Sequence, residues 1–482
     1  MVKTVVGEEI QLKSVEDRLS HSRLSCQVGL VIGKISTSLD RGFVFDLVPT
    51  PLNDTGEAAS WIIESKDDNN KKKGGAKSKT QSDSSSSLFI DKDWVAEHAR
   101  QVSRMLVGGM KVVGIYIWMN ESLFKNSTLV LCQTVKGVAD AAPIRDFGWD
   151  ERLLIHISYS PSRWTCRNCS LSSNISSSSL RPCDFKMGRV FSTLHKFKCI
   201  YNFDIRFPIF RESISNSRKF SGILRDVISR HAEELKGAKA LINGNLVNED
   251  EQCACDGVQE VEFLLPFMSH SYFQAYSEEE VLGILVFTGS VSSYAYSTSK
   301  EAISQALADI KGDIISSLHS RLDIICDEVA DGQSDDDEIS TETPILHLQL
   351  QLLRKGCSLS FPRRVFVPWL GDTYICDYIQ PSETLEVVKE RCVELMWMEV
   401  LTDMSVVLEA EAEAESVKLS TNSLRETAIP ELKSASLNNS NADKSSVSGK
   451  QLEKSNNVSI MAALFVLFVS VLVGLLFFAF RT

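Results

Sequence analysis

Residues 94–118 read WVAEHARQVSRMLVGGMKVVGIYIW, and this stretch decides the fold. Val95, Ala99, Val102 and Leu106 recur in three- and four-residue steps, the period of a single buried helix face. Gly108 and Gly109 end that helix, because glycine enters left-handed conformations without a Cβ clash. From Val112 the pattern becomes VVGIYIW, a continuous β-branched and aromatic run that predicts a strand buried on both faces. A helix that feeds directly into such a strand implies a body in which both element types share a core.

The flanks extend the same mixture. VGLVIGKI (28–35) and GFVFDLVP (42–49), separated by a polar turn, predict a hairpin. Residues 129–135 and 153–158 read as further buried strands, 222–242 as a helix, 258–266 as a strand and 282–296 as strand and turn. Ile303, Leu307, Ile310, Ile314, Leu318 and Leu322 form the apolar stripe of a long amphipathic helix. Strands are expected at 345–353 and 364–379, and a helix from 382 to about 402. Without strict βαβ alternation, the class is α+β.

The chain has 482 residues, 43% hydrophobic and 24% charged, which is globular composition and long enough for two or three domains. A net charge of −12 argues against nucleic acid as a partner, since phosphate recognition needs a basic stripe. The opening MVKTVVGEEIQLKS lacks an apolar core and does not read as a signal peptide. Three polar stretches read as connectors: 66–87 with its KKKGGAKSK run, the acidic 334–342, and 410–457, a Ser/Asn/Lys-rich stalk reaching roughly 40 Å.

Residues 458–480, VSIMAALFVLFVSVLVGLLFFAF, carry no charge. At ~1.5 Å per residue they span about 34 Å, enough to cross a hydrocarbon core of about 30 Å. Val458, Leu464, Phe468, Leu472, Leu476 and Phe480 mark this lipid-facing segment, and two residues follow it. The expected topology is a single-pass tail anchor inserted after translation, with the body in the cytosol. Lys450 and Lys454 lie on the cytosolic flank. The twelve cysteines are then expected as thiols, and the sequons at Asn120, Asn126, Asn174 and Asn457 as unmodified.

Catalytic signatures are sparse. Cys166-x-x-Cys169 with Cys183 and Cys199 is the candidate zinc set, although a zinc ribbon places its ligands in two close pairs and here the second pair is split. No nucleophile elbow or Gly-rich phosphate cradle occurs. His98 has no second histidine four residues on and reads as a surface or capping residue. The aromatics of PRRVFVPWLGDTYICDYI (362–379) fit either a partner surface or core.

The blocks VGLVIGKI…GFVFDLVPTP, WVAEHARQVSRMLVGGMKVVGIYIW, FTGSVSSYAYSTSKEA (287–302) and PRRVFVPW…YICDYI, in this order and with a tail anchor, resemble the odorant-response-abnormal (Odr-four-like) family of receptor-trafficking membrane proteins. The resemblance covers residues 28–397. It implies anchoring in the endoplasmic reticulum membrane, assistance to multi-pass membrane receptors as clients, and a partner in the protease specific for the ubiquitin-fold modifier Ufm, or a related MPN-like protein. It also implies that the N-terminal part is an MPN-type domain. Active MPN metalloproteases carry Gly-x-x-His-x-His, and aligned to Gly114 the two histidine positions fall at Ile117 and Met119, neither of which ligates zinc. The expected organisation is therefore a degenerate, metal-free MPN-like α+β domain over 1–265 with an insert at 66–87, a smaller α+β domain over 266–402, a flexible stalk over 403–457 and the transmembrane anchor at 458–480. The expected function is that of a non-catalytic adaptor without cofactor. The alternative is a zinc- or cysteine-dependent isopeptidase or hydrolase on the same membrane.

Overall fold

The computed structural model describes residues 2–36, 39–63, 86–144, 150–171, 179–210, 220–248, 251–252, 257–265, 281–331, 362–380, 383–398, 411 and 418–420. All of them lie in one compact unit, Met1–Thr427. The insert up to residue 85, the loop at 334–342, the strand expected at 345–353, and the anchor with Val458, Leu464, Phe468, Leu472, Leu476 and Phe480 lie outside the described residues. Among the described residues no helix is long and apolar enough to cross a membrane.

The first half builds a barrel. Its elements are β1 (Thr4–Glu8), α1 (Glu9–His21), β2 (Gln27–Ser36), β3 (Arg41–Pro49), β4 (Ser60–Ile63), β5 (Ser87–Ile90), α2 (Lys92–Met105), β6 (Lys111–Trp118), α3 (Glu121–Asn126), α4 (Thr128–Ala141), β7 (Glu151–Tyr159), β8 (Ser162–Ser170) and β9 (Leu180–Gly188). Seven strands close in the order β1-β3-β2-β6-β7-β8-β9, and β1 seals the ring by pairing in parallel with both β3 and β9. Leu12, Val15 and Leu19 of α1 pack with Val5, Val31, Val44, Val113, Ile155 and Cys166, so the helix fills one side of the strand layer. The other side carries α2, α4, the β4–β5 hairpin and their apolar contacts. β6 is therefore covered on both faces, as its uninterrupted apolar run demands.

The second half adds β10 (Leu194–Phe210), α5 (Phe220–Lys236), β11 (Lys239–Ile242), β12 (Asn245–Leu246), β13 (Val258–Leu264), β14 (Val281–Thr298), α6 (Ile303–Asp331), β15 (Arg363–Pro368), β16 (Tyr374–Ile379), α7 (Leu385–Met396) and β17 (Lys418–Ser420). Six of these strands form a sheet in the order β12-β11-β13-β10-β14-β17. Phe197, Cys199, Tyr201 and Phe203 alternate onto the side covered by α5 and α6. Ile200, Asn202 and Asp204 face the opposite, exposed side.

Several expectations change. Residues 129–135 are helical, within α4: Leu131, Cys132, Val135, Val138 and Ala139 step along one buried face while Leu129 points outward. Helix α5 stops at Lys236, and residues 239–242 are β11, which turns into β12 through Asn243 and Gly244 at positive φ. Residues 281–298 form one unbroken strand, and 363–379 a hairpin turned by Gly371 and Asp372. The opening residues, given no element from sequence, are β1 and α1.

The domain boundary at 265/266 also falls, because β10 pairs with β14 from Leu194↔Thr298 to Phe210↔Val281 across it. The β15–β16 hairpin and α7 then return to the barrel: Phe366, Ile375, Tyr378, Val388 and Cys392 share a core with β2, α2 and α4. The stalk expected over 403–457 does not begin at 403, since Glu411 is buried and residues 418–420 pair with β14.

Candidate functional site

Helix α2 is capped by Asp91, whose carboxylate accepts from Trp94 N at 3.0 Å. The chain leaves it through Gly108 and Gly109, both at positive φ. A Cβ on Gly108 would sit 2.0 Å from the Tyr296 ring, and one on Gly109 would sit 2.4 Å from Asp309 Oδ2. These glycines thus let the barrel approach β14 and α6, and the segment that follows them buries Gly114, Ile117 and Met119.

Ile117 and Met119 are both fully buried. The Met119 carbonyl accepts from His156 Nε2 at 3.1 Å, and Phe124 stacks on the His156 ring with centroids 4.0 Å apart. Burial lowers the His156 pKa, so the ring is neutral at physiological pH. Glu121 Oε2 lies 3.8 Å from His156 Nδ1. One imidazole and one carboxylate fall short of the three protein ligands of a catalytic zinc. Among the described residues no three His, Cys, Asp or Glu side chains converge to hold a metal ion.

The zinc set does not assemble. Cys166 packs with α1, Cys169 on the opposite side of β8 with α2 and α4, and Cys199 in the separate core beneath α5 and α6. Cys166 instead faces Cys183, its register partner on β9. Cys169 is hydrogen-bonded to Cys132 of α4. The cause is geometric: positions three apart on a strand point to opposite faces, so Cys166 and Cys169 cannot bind the same ion.

His98 is buried, not at the surface: its Nε2 meets the Leu395 carbonyl of α7 at 2.9 Å. The aromatics of 362–379 are core, with Phe366 and Tyr378 buried and Tyr294 packed edge-on to Phe366 at 5.0 Å.

Two buried ionic networks hold the body together, one tying the barrel to the second half and the other tying elements of the second half to each other. Lys34 Nζ lies 2.7 Å from Asp309 Oδ2 and donates to the Tyr296 carbonyl at 2.7 Å. Arg364 grips Asp313 with two bonds of 2.7 and 2.9 Å and donates to Tyr378 Oη at 3.1 Å. Arg321 pairs with Glu411, whose carboxylate also accepts from Ser292 N and Arg364 N. The sequence carried a signal for this: Asp309, Asp313, Ser317 and Arg321 make a four-step polar stripe beside the apolar stripe of α6, and all four are buried. Removing one member of such a pair strands a buried charge, which costs about 3–5 kcal/mol.

What the surface offers is apolar and polar contact area. Trp61 and Phe89 stack at 4.1 Å on the outward face of the β4–β5 hairpin, each 39% exposed, with Ile63 alongside. A cleft of about 450 Å³ between the six-stranded sheet and the β15–β16 turn is lined by Thr193, His195, Lys196, Val258, Tyr296 and Asp372. Lys196 is already paired with Asp372 at 2.9 Å there. The arrangement defines a mixed α+β body whose buried ion pairs are engaged in holding it together.

The family model for ODR4-like (odorant response abnormal 4-like) proteins matches residues 29–407. Among curated proteins the chain is similar to the protein odr-4 homologs of Mus musculus, 24% identical over 66% of this chain and 72% of that one, and of Homo sapiens, 25% identical over 64% and 69%. The Dictyostelium discoideum protein odr-4 homolog is 26% identical over 78% of this chain and 76% of its own. The chain belongs to the ODR4-like family. Among solved structures, UfSP from C. elegans aligns with a TM-score of 0.37 and 8% identity, over 82% of this chain and 56% of that chain, a likeness too slight to carry an argument.

Proposed function

We propose that this chain is a non-catalytic adaptor that assists the maturation and trafficking of multi-pass membrane receptors from the endoplasmic reticulum membrane. In this reading the uncharged apolar residues 458–480 anchor it there, and the body, degenerate MPN-like in its N-terminal part, faces the cytosol. The body recruits the Ufm-specific protease and holds it near membrane clients. Tethering raises local concentration, which adds avidity without new contacts. The observation that carries the reading is the family match over residues 29–407, whose printed name ties the family to odorant response. The apolar side chains at Ile117 and Met119 support its non-catalytic part, because zinc chemistry there has no ligands.

The test deletes residues 458–482 from the otherwise full chain in cells. The shortened protein is expected in the soluble fraction, still co-purifying with the protease, while the membrane fraction loses both. Undiminished protease on membranes, or release of the intact full chain by alkaline carbonate, overturns the proposal.

A further inference from the structure

We propose that Cys166 and Cys183 are a modification site, closing to a reversible disulfide across β8 and β9 on reaction with a low-molecular-weight disulfide such as oxidised glutathione. The two residues are register partners in an antiparallel pair. Their side chains therefore share a face, with Cβ atoms about 4.5–5.5 Å apart. A disulfide needs about 3.5–4.5 Å between Cβ atoms and Cα atoms about 4.4–6.8 Å apart, which both kinds of antiparallel pair satisfy. Bond formation thus asks for a small approach of two strands already hydrogen-bonded to each other, with no rearrangement of the fold.

The two thiols differ in the way a two-step exchange requires. Cys166 is buried under α1, whereas Cys183 is partly exposed. The Cys183 thiol lies within reach of the Lys3 carbonyl at 3.5 Å and the Val2 carbonyl at 3.6 Å, at the seam where β1 joins β9. A hydrogen bond from Cys166 lowers the Cys183 pKa, raising the thiolate fraction at the less buried of the two cysteines. In the first step the Cys183 thiolate attacks one sulfur of glutathione disulfide, forming a mixed disulfide and expelling one glutathione thiolate. In the second, Cys166 loses its proton to solvent and its sulfur attacks Cys183 Sγ, expelling the second glutathione thiolate. Two protein thiols are oxidised and one glutathione disulfide is reduced to two thiols, so atoms and electrons balance.

The second thiol pair supplies an internal control. Cys132 and Cys169 also interact, yet both are fully buried, on the opposite side of β8. Oxidant reaches them only if the barrel opens.

The test incubates purified, reduced full-length protein in detergent with oxidised glutathione, then measures intact mass and maps peptides. The expected product has lost the mass of two hydrogen atoms, joins the peptides carrying Cys166 and Cys183, and returns to the starting mass with dithiothreitol. Its thermal midpoint rises by about 3–5 °C, because a closed loop restricts the unfolded chain. Cys183→Ser abolishes the change. Cys166→Ala, which keeps the buried site apolar, leaves Cys183 as a stable glutathione adduct. An unmodified Cys183, a wild-type reaction that stops at the adduct, or a Cys166–Cys183 link that forms only together with a Cys132–Cys169 link overturns the proposal.

Discussion

His98 shows how one residue registers the closure of the molecule. It sits on α2, but its hydrogen-bond partner is the carbonyl of Leu395 near the end of α7, almost three hundred positions later. Burial lowers its pKa from 6.5 to about 4. Below pH 6.5 the unfolded chain takes up a proton that the folded chain refuses. The stability tied to this residue is therefore complete above pH 6.5 and is lost as pH falls towards 4, by on the order of 2–3 kcal/mol. His98→Gln keeps a donor for Leu395 and removes the titration. Its urea midpoint is expected to fall less steeply between pH 6.5 and 4 than that of the wild type. Parallel pH profiles for the two proteins would exclude this role. Sequence alone reads His98 as a surface or capping residue because its partner is an atom of the backbone, which no side-chain motif reports.

At the scale of elements, the glycine turn between α2 and β6 makes two demands at once. Gly109 has a φ of 80° and approaches Asp309, which holds Lys34. Gly56 has a φ of 78° but nothing within 4 Å. Gly56→Ala is expected to cost about 1–2 kcal/mol, the left-handed penalty alone. Gly109→Ala adds the displacement of a buried ion pair and is expected to cost about 3–5 kcal/mol, read as the difference in denaturant midpoints. Equal costs would show that the contact with Asp309 carries no weight. Elements whose pattern is strong were legible: β6, the β2–β3 hairpin and the apolar stripe of α6 stand where periodicity puts them. Helix α1 was not, because charges interrupt Leu12, Val15 and Leu19 and its one buried face packs on strands distant in sequence. Helix α4 was misread because LVLCQTV has strand-like composition, and its helical spacing emerges only when Val138 and Ala139 are included. For the candidate site, the burial of Ile117 was legible from the apolar run of β6. The scattering of the cysteines was not, since it depends on strand faces.

For the whole molecule, sequence order is a poor guide to neighbourhood. The chain builds the barrel, crosses to the sheet and comes back to complete the barrel's core, so a boundary drawn along the sequence cuts through paired strands. The buried network around Arg321 extends this body to Glu411. A chain ending at 427 retains the complete compact unit, whereas one ending at 398 leaves Arg321 without its carboxylate. Relative to the longer form, the shorter is expected to lose about 3–5 kcal/mol in equilibrium unfolding. Indistinguishable unfolding curves would remove Glu411 from the account.

The seat of β1 between β3 and β9 has a consequence for synthesis. The ribosome makes this strand before either neighbour, and one of the two, residues 184–188, emerges some 180 positions later. Contacts this distant along the chain carry a large loop-closure cost and form slowly. Strand β1 must therefore wait, with one edge unsatisfied, until β9 has been translated.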